Sequence, residues 1–275
     1  MIIFNSWFGR LGNNIIQLKN VIQIAFHYKH KILFRCSHPF FDVRIIERYF
    51  SNNVNNQPIT DKNHFFYRSK IKHISPKVFQ HNNKETINLL KHAFIIKDKD
   101  INILNDDDVV IHIRSGDLFS RCPHPGYVPP PLSYYTSILS NIKYDKIIIV
   151  CEDKLNPVVD QLLKIYAHSI HSVNCLRDDI KIILGAKNII SSVGTFVPSL
   201  TVLSSNILKE YNTSLYKKEL KQYYICNKPW KNTKIQRDNI INYQTPTSPL
   251  TADDVIITSG GSGALEIALK ALLNN

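Results

Sequence analysis

Three short segments of the sequence bring charged, hydroxyl or glycine residues to the end of a predicted strand. The first is HIRSGD at 112–117, which ends a β-branched run. Arg114 carries a planar fork of donors that suits phosphate, and His112 shares its face of the strand because side chains alternate with a period of two. Gly116 permits an unusual backbone turn, and Asp117 could orient Arg114, bind a sugar hydroxyl or act as a base. The alternative is structural, with His112 filling core space and Asp117 capping a turn.

The other two segments are GRLGNN at 9–14 and SSVGTF at 191–196, and each lies between a predicted strand and a predicted helix. Backbone amides at the N-terminus of a helix attract anions, so both segments could receive a phosphate. A structural interpretation stays open for both, because glycine turns and Ser or Thr caps are common without a ligand. The candidate anion-binding residues of the two segments are Gly12, Asn13, Ser192, Thr195 and Phe196.

Short β-branched or aromatic runs alternate along the chain with segments of helical period. The predicted strands are 2–7, 31–36, 109–114, 146–151, 170–174, 188–193 and 254–258. The predicted helices are 13–28, 41–50, 84–94, 132–141, 157–166, 178–186, 196–206 and 264–273. This alternation predicts parallel strands joined by right-handed crossovers, and therefore an α/β fold of two Rossmann-like lobes.

The chain divides into four parts by composition. Residues 1–105 are predicted to form an N-terminal α/β lobe, and residues 106–225 a more regular C-terminal α/β lobe. Residues 226–250 are rich in Pro, Asn, Thr and Gln and are interpreted as a linker. Residues 251–275 form a short C-terminal appendage with a strand, a small-residue turn and a helix. The cleft between two such lobes is a common ligand site.

The net charge of the chain indicates which class of ligand or macromolecule it binds. The 34 Lys and Arg exceed the 22 Asp and Glu and give a net charge of +12, which favours an anionic partner such as a nucleotide. No zinc-finger, RNA-recognition or basic-helix pattern accompanies the charge, so we do not expect nucleic acid as a partner.

The five cysteines are widely spaced without a CxxC pair, which indicates free thiols. Asp106, Asp107 and Asp108 precede a strand and are interpreted as a solvated turn, so no metal is expected.

The location of the protein is inferred from its hydropathy. No apolar run approaches the roughly 20 residues of a membrane span. The N-terminus lacks the basic start and long apolar middle of a signal peptide. We therefore expect a cytoplasmic protein, or one with peripheral membrane contact at most.

Taken together, the three segments resemble the inverting fucosyltransferases, a group of α-1,2-fucosyltransferases with more distant α-1,6- and protein O-fucosyltransferases. Residues 112–117 match the HxRxGD motif of these enzymes, and GRLGNNIIQ at 9–17 resembles their G-x-LGNQ-x-x-Q segment, with Asn14 where Gln is usual. Residues 179–196 resemble their C-terminal donor motif, although Val197 and Pro198 follow where tryptophans are common. The HPGY and PPLSYY sequences after residue 123 resemble the segment that follows HxRxGD in such enzymes.

This resemblance implies a two-lobed glycosyltransferase of the GT-B type that uses a GDP-sugar without a metal or other cofactor. Arg114 would hold the donor pyrophosphate, and Thr195 and Phe196 would contact phosphate and base. Asp179 would contact the nucleoside. The rest of the implied donor-binding set is Gly12, Asn13, His112 and Ser192. The partners would be the nucleotide-sugar donor and a glycan acceptor.

The implied reaction is transfer of fucose from GDP-fucose to a glycan hydroxyl in a single displacement with inversion. Arg114 would stabilise the charge that grows on the leaving phosphate. Asp117 is the first candidate for the general base and His124 the second. Two alternatives stay open: the same fold with another nucleotide sugar, and a non-catalytic relative that binds nucleotide or glycan.

The appendage resembles a different family. Residues 249–265 are similar to the start of the large domain of pyridoxal-phosphate aminotransferases, whose small-residue turn binds the cofactor phosphate. The similarity ends before the ring-stacking aromatic residue and the Schiff-base lysine, and Lys270 does not occupy the position of that lysine. We therefore expect no transaminase activity from this chain.

Overall fold

The structure is a computed structural model, and it describes residues 1–55, 58–60, 65–67, 74–80, 83–172, 175–245 and 256–257. The chain divides into two compact units. The first consists of Met1–Ile101 with Pro198–Leu203, and the second of Asn102–Val197 with Ser204–Asn275. Each unit has a sheet with parallel strands joined by helices, which confirms the predicted α/β class with two Rossmann-like lobes.

The first unit is built on a parallel sheet with the order β2-β1-β3. Its strands are β1 (Ile2–Phe4), β2 (Ile32–Phe34) and β3 (Ile59–Thr60). Its helices are α1 (Leu11–Tyr28), α2 (Val43–Tyr49) and α3 (Asn83–Ala93). Helix α1 follows β1 and buries the apolar stripe that includes Ile15, Leu18 and Ile22, as its spacing predicts. It begins two residues earlier than predicted, so Gly12 lies in its first turn.

The second unit has a sheet with the order β6-β5-β4-β7-β8-β9 within the described residues. Its strands are β4 (Asp108–His112), β5 (Lys146–Val150), β6 (Ile170–Ser172), β7 (Asn188–Ser191), β8 (Lys209–Tyr211) and β9 (Ile256–Ile257). All pairs are parallel except β8 with β9. Counted from β4, the parallel strands follow the Rossmann order 3-2-1-4-5, and this order reverses between β4 and β7.

Four helices connect the successive parallel strands of the second sheet: α4 (Leu132–Ser140), α5 (Pro157–Ile165), α6 (Leu176–Gly185) and α7 (Phe196–Leu203), of which Pro198–Leu203 is part of the first unit. Two further helices, α8 (Lys221–Asn227) and α9 (Lys234–Asn242), follow β8. Val109, Ile111 and Ile149 in β4 and β5 are fully buried, as expected for strands covered on both faces. Tyr134 and Ile138 of α4 join the same core. None of the helices in the described part of the chain has the length and hydropathy needed to cross a membrane.

The segment interpreted as a linker, residues 226–250, is folded over its described part. It contains the end of α8 and all of α9, and Trp230 and Ile240 are almost completely buried. Its polar residues serve the backbone, since Thr233 and Gln236 form a capping box at the start of α9. The composition resembles that of a linker because most residues of the segment are polar, and Trp230 and Ile240 supply its buried contacts. In the appendage, only β9 lies within the described residues, and the turn and helix predicted after it lie outside them.

Candidate functional site

The side chain of Arg114 is held on two sides at the end of β4. Its Nε donates to Oδ1 of Asp117 at 3.2 Å, and its Nη2 donates to Oδ2 at 2.7 Å. Its guanidinium carbon lies 4.2 Å from the centroid of the Tyr127 ring, which is a cation–π contact. Both oxygens of Asp117 are therefore used to orient Arg114, which is one of the three roles predicted for that carboxylate.

Gly194 brings the loop after β7 against the same guanidinium. Its φ is +116°, a value that L side chains rarely adopt, and a β-carbon there would lie 2.6 Å from Nη1 of Arg114. β4 and β7 are neighbouring strands. One further hydrogen bond follows their last residue pair: the Ser192 N–H donates to the His112 carbonyl at 3.1 Å. The two segments predicted from sequence thus meet where the strand order reverses, which is the usual ligand position in an open α/β sheet.

The loop after β5 fixes the backbone that carries Arg114. Asn156 Nδ2 donates to the Arg114 carbonyl at 3.0 Å, and the Asn156 N–H donates to Ser115 Oγ at 3.0 Å. Ser115 Oγ in turn donates to the Asp153 carboxylate, whose Oδ2 also accepts the Gly116 N–H at 3.2 Å. Sequence analysis missed Asp153 and Asn156. The available signal was their position two and five residues after the predicted strand 146–151, near the edge where the carboxyl ends of parallel strands converge.

Two features favour glycine at position 116: its backbone conformation and the proximity of the Glu152 side chain. Its φ is +40°, and a β-carbon at this position would overlap the carboxylate of Glu152. Glu152 follows β5 and is exposed to solvent. The glycine of the HIRSGD segment therefore leaves space for an acidic side chain from the neighbouring strand.

His112 is the last residue of β4, and its imidazole ring is neutral at pH 7. Burial, with a smaller contribution from the Arg114 charge, lowers the pKa of His112 to about 4. Its Nδ1 has no hydrogen-bond partner among the described residues, and its ring centroid is 5.3 Å from that of Phe196. Phe196 is the first residue of α7, so this ring contact joins the end of β4 to the start of α7.

The remaining predicted residues of the second unit lie at different depths. Ser192 is buried and Thr195 is half-buried, and both belong to the loop between β7 and α7. His124 is exposed, its ring centroid lies 4.7 Å from that of Tyr127, and its Nδ1 accepts the Gly126 N–H at 3.1 Å. His124 is thus connected to Arg114 through the Tyr127 ring.

Asp179 lies at the carboxyl end of β6, two strands from β4 in the sheet. It is a buried residue of α6, and its Oδ1 accepts a hydrogen bond from Ser172 Oγ at 3.3 Å. Burial raises the pKa of Asp179 to about 6, while the Ser172 hydroxyl lowers it and the nearby Asp178 charge raises it. Asp179 therefore ionises at a higher pH than an exposed aspartate does.

Gly12 and Asn13 belong to the first unit, and the residues described above belong to the second. The Gly12 carbonyl accepts a hydrogen bond from Ser199 Oγ at 2.9 Å, and the Asn13 side chain fills the space above Gly9. Gln17 in the same helix accepts the Phe8 N–H at 3.0 Å. Part of the GRLGNNIIQ segment therefore serves the connection between β1 and α1.

The acidic run before β4 is not a solvated turn throughout. Asp108 is the buried first residue of β4, and its Oδ2 accepts the Asn105 N–H at 3.0 Å. Asp106 forms an ion pair with Lys187. Among the described residues, no group of three or more His, Cys, Asp or Glu is placed to hold a metal ion. All five cysteines lie in the described ranges and are free thiols.

Comparisons with known proteins give three findings. No family model matches the chain. Tyrosine aminotransferase of Dictyostelium discoideum is 51% identical over 41 residues, which are 14% of this chain and 10% of that protein. This chain therefore corresponds to about a tenth of that relative's length.

Two similar solved structures are fucosyltransferases. POFUT1 in complex with GDP has 11% identity and a TM-score of 0.44, and the alignment covers 77% of this chain and 97% of that chain. A mutant of FUT1 from Arabidopsis thaliana in complex with GDP has 12% identity and a TM-score of 0.43, with 77% and 69% covered.

Proposed function

We propose that this chain is a glycosyltransferase that binds a nucleoside diphosphate sugar at the carboxyl edge of the second sheet. The proposed donor is GDP-fucose and the proposed acceptor is a glycan hydroxyl, as the resemblance of the HIRSGD and SSVGTF segments implies. The observation that carries the proposal is the position of Arg114, which is fixed by Asp117, Tyr127 and Gly194 at the point where the strand order reverses.

Arg114 suits a diphosphate because its orientation is set before the ligand arrives. A guanidinium has five N–H donors, and two of them are used by Asp117, so further donors are available to phosphate oxygens. Of the two basic side chains at the end of β4, Arg114 is the charged one, because burial keeps His112 neutral at pH 7. Backbone N–H groups in the loop before α7 add the dipoles of a helix N-terminus.

The proposed reaction is a single displacement at the anomeric carbon. An acceptor hydroxyl forms the new bond to that carbon while the bond to the diphosphate oxygen breaks. Negative charge grows on the departing phosphate, and Arg114 stabilises it most strongly in the transition state. Arg114 would thus supply the charge that a metal supplies in other transferases, and we expect transfer to continue in the presence of EDTA.

The proposal separates the roles of the two candidate bases. Asp117 orients Arg114 through both carboxylate oxygens, so we now assign it to positioning of the guanidinium. His124 is exposed beside Tyr127 and is the candidate to accept the proton of the acceptor hydroxyl. Asp179, at the end of β6, is the candidate to contact the nucleoside.

A ligand-binding experiment tests the proposal before an acceptor is known. The thermal midpoint of the wild-type chain would be measured with GDP, GDP-fucose and UDP-glucose, and again for Arg114→Ala. A ligand at 100 times its dissociation constant adds about 2.7 kcal/mol to the free energy of unfolding. We expect a shift with the GDP compounds that Arg114→Ala abolishes. A shift with UDP-glucose alone would change the donor, and no shift with any nucleotide would refute the proposal.

Transfer itself is tested with labelled donor. Incubation of the chain with labelled GDP-fucose and a panel of glycans is expected to give a labelled glycan and free GDP. Nucleotide binding without either product would indicate a non-catalytic relative.

A further inference from the structure

The carboxyl edge of the second sheet presents groups in a spatial order that matches a nucleotide. The strands run β6-β5-β4-β7, and neighbouring strands are about 4.8 Å apart. Arg114 follows β4, Glu152 follows β5, and Asp179 meets Ser172 at the end of β6. The distance from β4 to β6 is thus roughly 10 Å, which is two strand spacings. A diphosphate at Arg114 would place the ribose over β5 and the base over β6.

Glu152 lies at the middle of this edge, and its carboxylate is close to the backbone of Gly116 in the HIRSGD segment. Its carboxylate occupies the space that Gly116 leaves by lacking a β-carbon. The side chain is nevertheless exposed, so a ligand can reach it. The adjacent Asp153 is less exposed, and its oxygens accept hydrogen bonds from Ser115, Gly116 and Leu155. Of these two carboxylates, Glu152 is the one placed at the surface of the site.

We propose that Glu152 binds the ribose of the nucleotide by accepting hydrogen bonds from its 2′- and 3′-hydroxyls. An ionised carboxylate is an acceptor only, so it matches a pair of hydroxyl donors and repels phosphate. An acidic residue that follows the second strand of a Rossmann sheet recognises the ribose 2′-hydroxyl in dinucleotide-binding proteins. Because β5 is the second strand in this unit, Glu152 occupies the equivalent place. This inference rests on the proposed function, since it takes the bound ligand to be a nucleotide.

The test compares nucleotides that differ only at the 2′-position. Dissociation constants for GDP and 2′-deoxy-GDP would be measured by calorimetry with wild type, Glu152→Ala and Glu152→Gln. UDP and 2′-deoxy-UDP would be measured in the same way, so that the result does not depend on the base. Asp160→Asn is the matched control, because Asp160 is exposed on α5 and its loss changes the net charge by the same amount.

We expect wild type to bind the ribonucleotide at least about ten-fold more tightly than the deoxynucleotide, as for a hydrogen bond to a charged group. Glu152→Ala is expected to reduce that ratio to about one, mainly through weaker binding of the ribonucleotide. Glu152→Gln is expected to fall between them, because it keeps one acceptor oxygen, and Asp160→Asn is expected to keep the wild-type ratio.

Two results would overturn the inference. The first leaves the proposed function intact, and the second contradicts the proposed function as well. If Glu152→Ala and Glu152→Gln both bind nucleotide with the wild-type ratio, Glu152 does not contact the ribose and the proposed function stands. If wild type binds none of the four nucleotides, the proposed function fails together with the inference. Thermal midpoints without ligand show whether each variant is folded. If Glu152→Ala is not folded, the nucleotide affinities of Glu152→Gln decide whether Glu152 contacts the ribose.

Discussion

A β-carbon on Gly194 would lie 2.6 Å from Nη1 of Arg114. The backbone of the loop after β7 therefore packs directly on the guanidinium that follows β4. The contact links two segments that are far apart in sequence and adjacent in the sheet. It also explains the residue type, because glycine satisfies both the close approach and the positive φ.

We expect Gly194→Ala to displace the Arg114 side chain and to reduce nucleotide affinity by about ten- to a hundred-fold, the effect of losing a hydrogen bond to a charged group. The strained φ adds a cost of about 1–3 kcal/mol to folding. Calorimetry with GDP and urea unfolding measure the two effects. Gly126→Ala is the control, since its β-carbon would meet the His124 ring and not the Arg114 guanidinium. Wild-type affinity in Gly194→Ala would show that Arg114 does not depend on this contact.

The ion pair between Arg114 and Asp117 predicts a specific kinetic pattern for Asp117→Asn. If Asp117 orients the guanidinium, the variant should weaken the contact of Arg114 with the donor in both the ground state and the transition state, because a charge-assisted hydrogen bond is weakened. We therefore expect KM for the donor to rise and kcat to fall, each by about ten-fold. Loss of a general base would instead lower kcat by about 10²- to 10⁴-fold. Steady-state kinetics with a labelled donor distinguish the two roles, and a large loss confined to kcat would return Asp117 to the role of base.

The sequence was sufficient to predict the features that depend on local pattern. The alternation of β-branched runs with helical segments predicted the parallel sheets, because each strand and its crossover are encoded within a few tens of residues. It also placed Arg114 and the SSVGTF segment at the carboxyl ends of β4 and β7. These two strands are neighbours in the Rossmann order, so their loops meet.

The sequence was not sufficient for features that depend on distant partners. Asn156 was missed because its role is to bond the Arg114 carbonyl; its position soon after a predicted strand indicates where it lies but not which group it contacts. Glu152 was missed because its position follows from the absent side chain of Gly116. The segment that contains Trp230 was interpreted as a linker because its composition is polar. The packing partners that bury the Trp230 indole are distant in sequence, so the sequence alone does not show that the segment is folded.

A buried carboxylate on β8 predicts how stability depends on pH. Burial raises the pKa of Glu210 to about 7, and hydrogen bonds from Ser191 and Asn212 oppose that rise. Between pH 4.5 and 7 the folded chain therefore keeps a proton that the unfolded chain has released. The free energy of unfolding should fall as pH rises through this range, by about 3 kcal/mol at most from this group.

Glu210→Gln isolates that contribution because glutamine keeps an acceptor for the Ser191 hydroxyl but does not ionise. We expect the variant to become more stable relative to wild type as pH rises from 4.5 to 7, with the difference constant above that range. Urea unfolding at a series of pH values measures it. Glu85→Gln, at an exposed position on α3, is the control. A difference that does not change with pH would mean that Glu210 is not protonated in the folded chain near neutral pH.

Trp230 fixes the C-terminal segment onto the loop that follows the HIRSGD segment. Its side chain is 1% exposed, its Nε1 donates to the Leu118 carbonyl at 2.7 Å, and its ring meets that of Phe119 at a centroid distance of 5.8 Å. Its backbone N–H also donates to the Pro125 carbonyl at 3.0 Å. The same residue therefore restrains both ends of the 118–125 loop.

We expect Trp230→Ala to lower the free energy of unfolding by about 3–5 kcal/mol through the cavity it leaves. Trp230→Phe keeps most of the ring contact but leaves the Leu118 carbonyl without its donor, which should cost about 1–3 kcal/mol. Urea unfolding gives both values, and Ile235→Ala, at a side chain that is 73% exposed, should change stability by less than about 0.5 kcal/mol. A change of that small size in Trp230→Ala would mean that residues 226–245 do not pack on the rest of the second unit in solution, as expected for a linker.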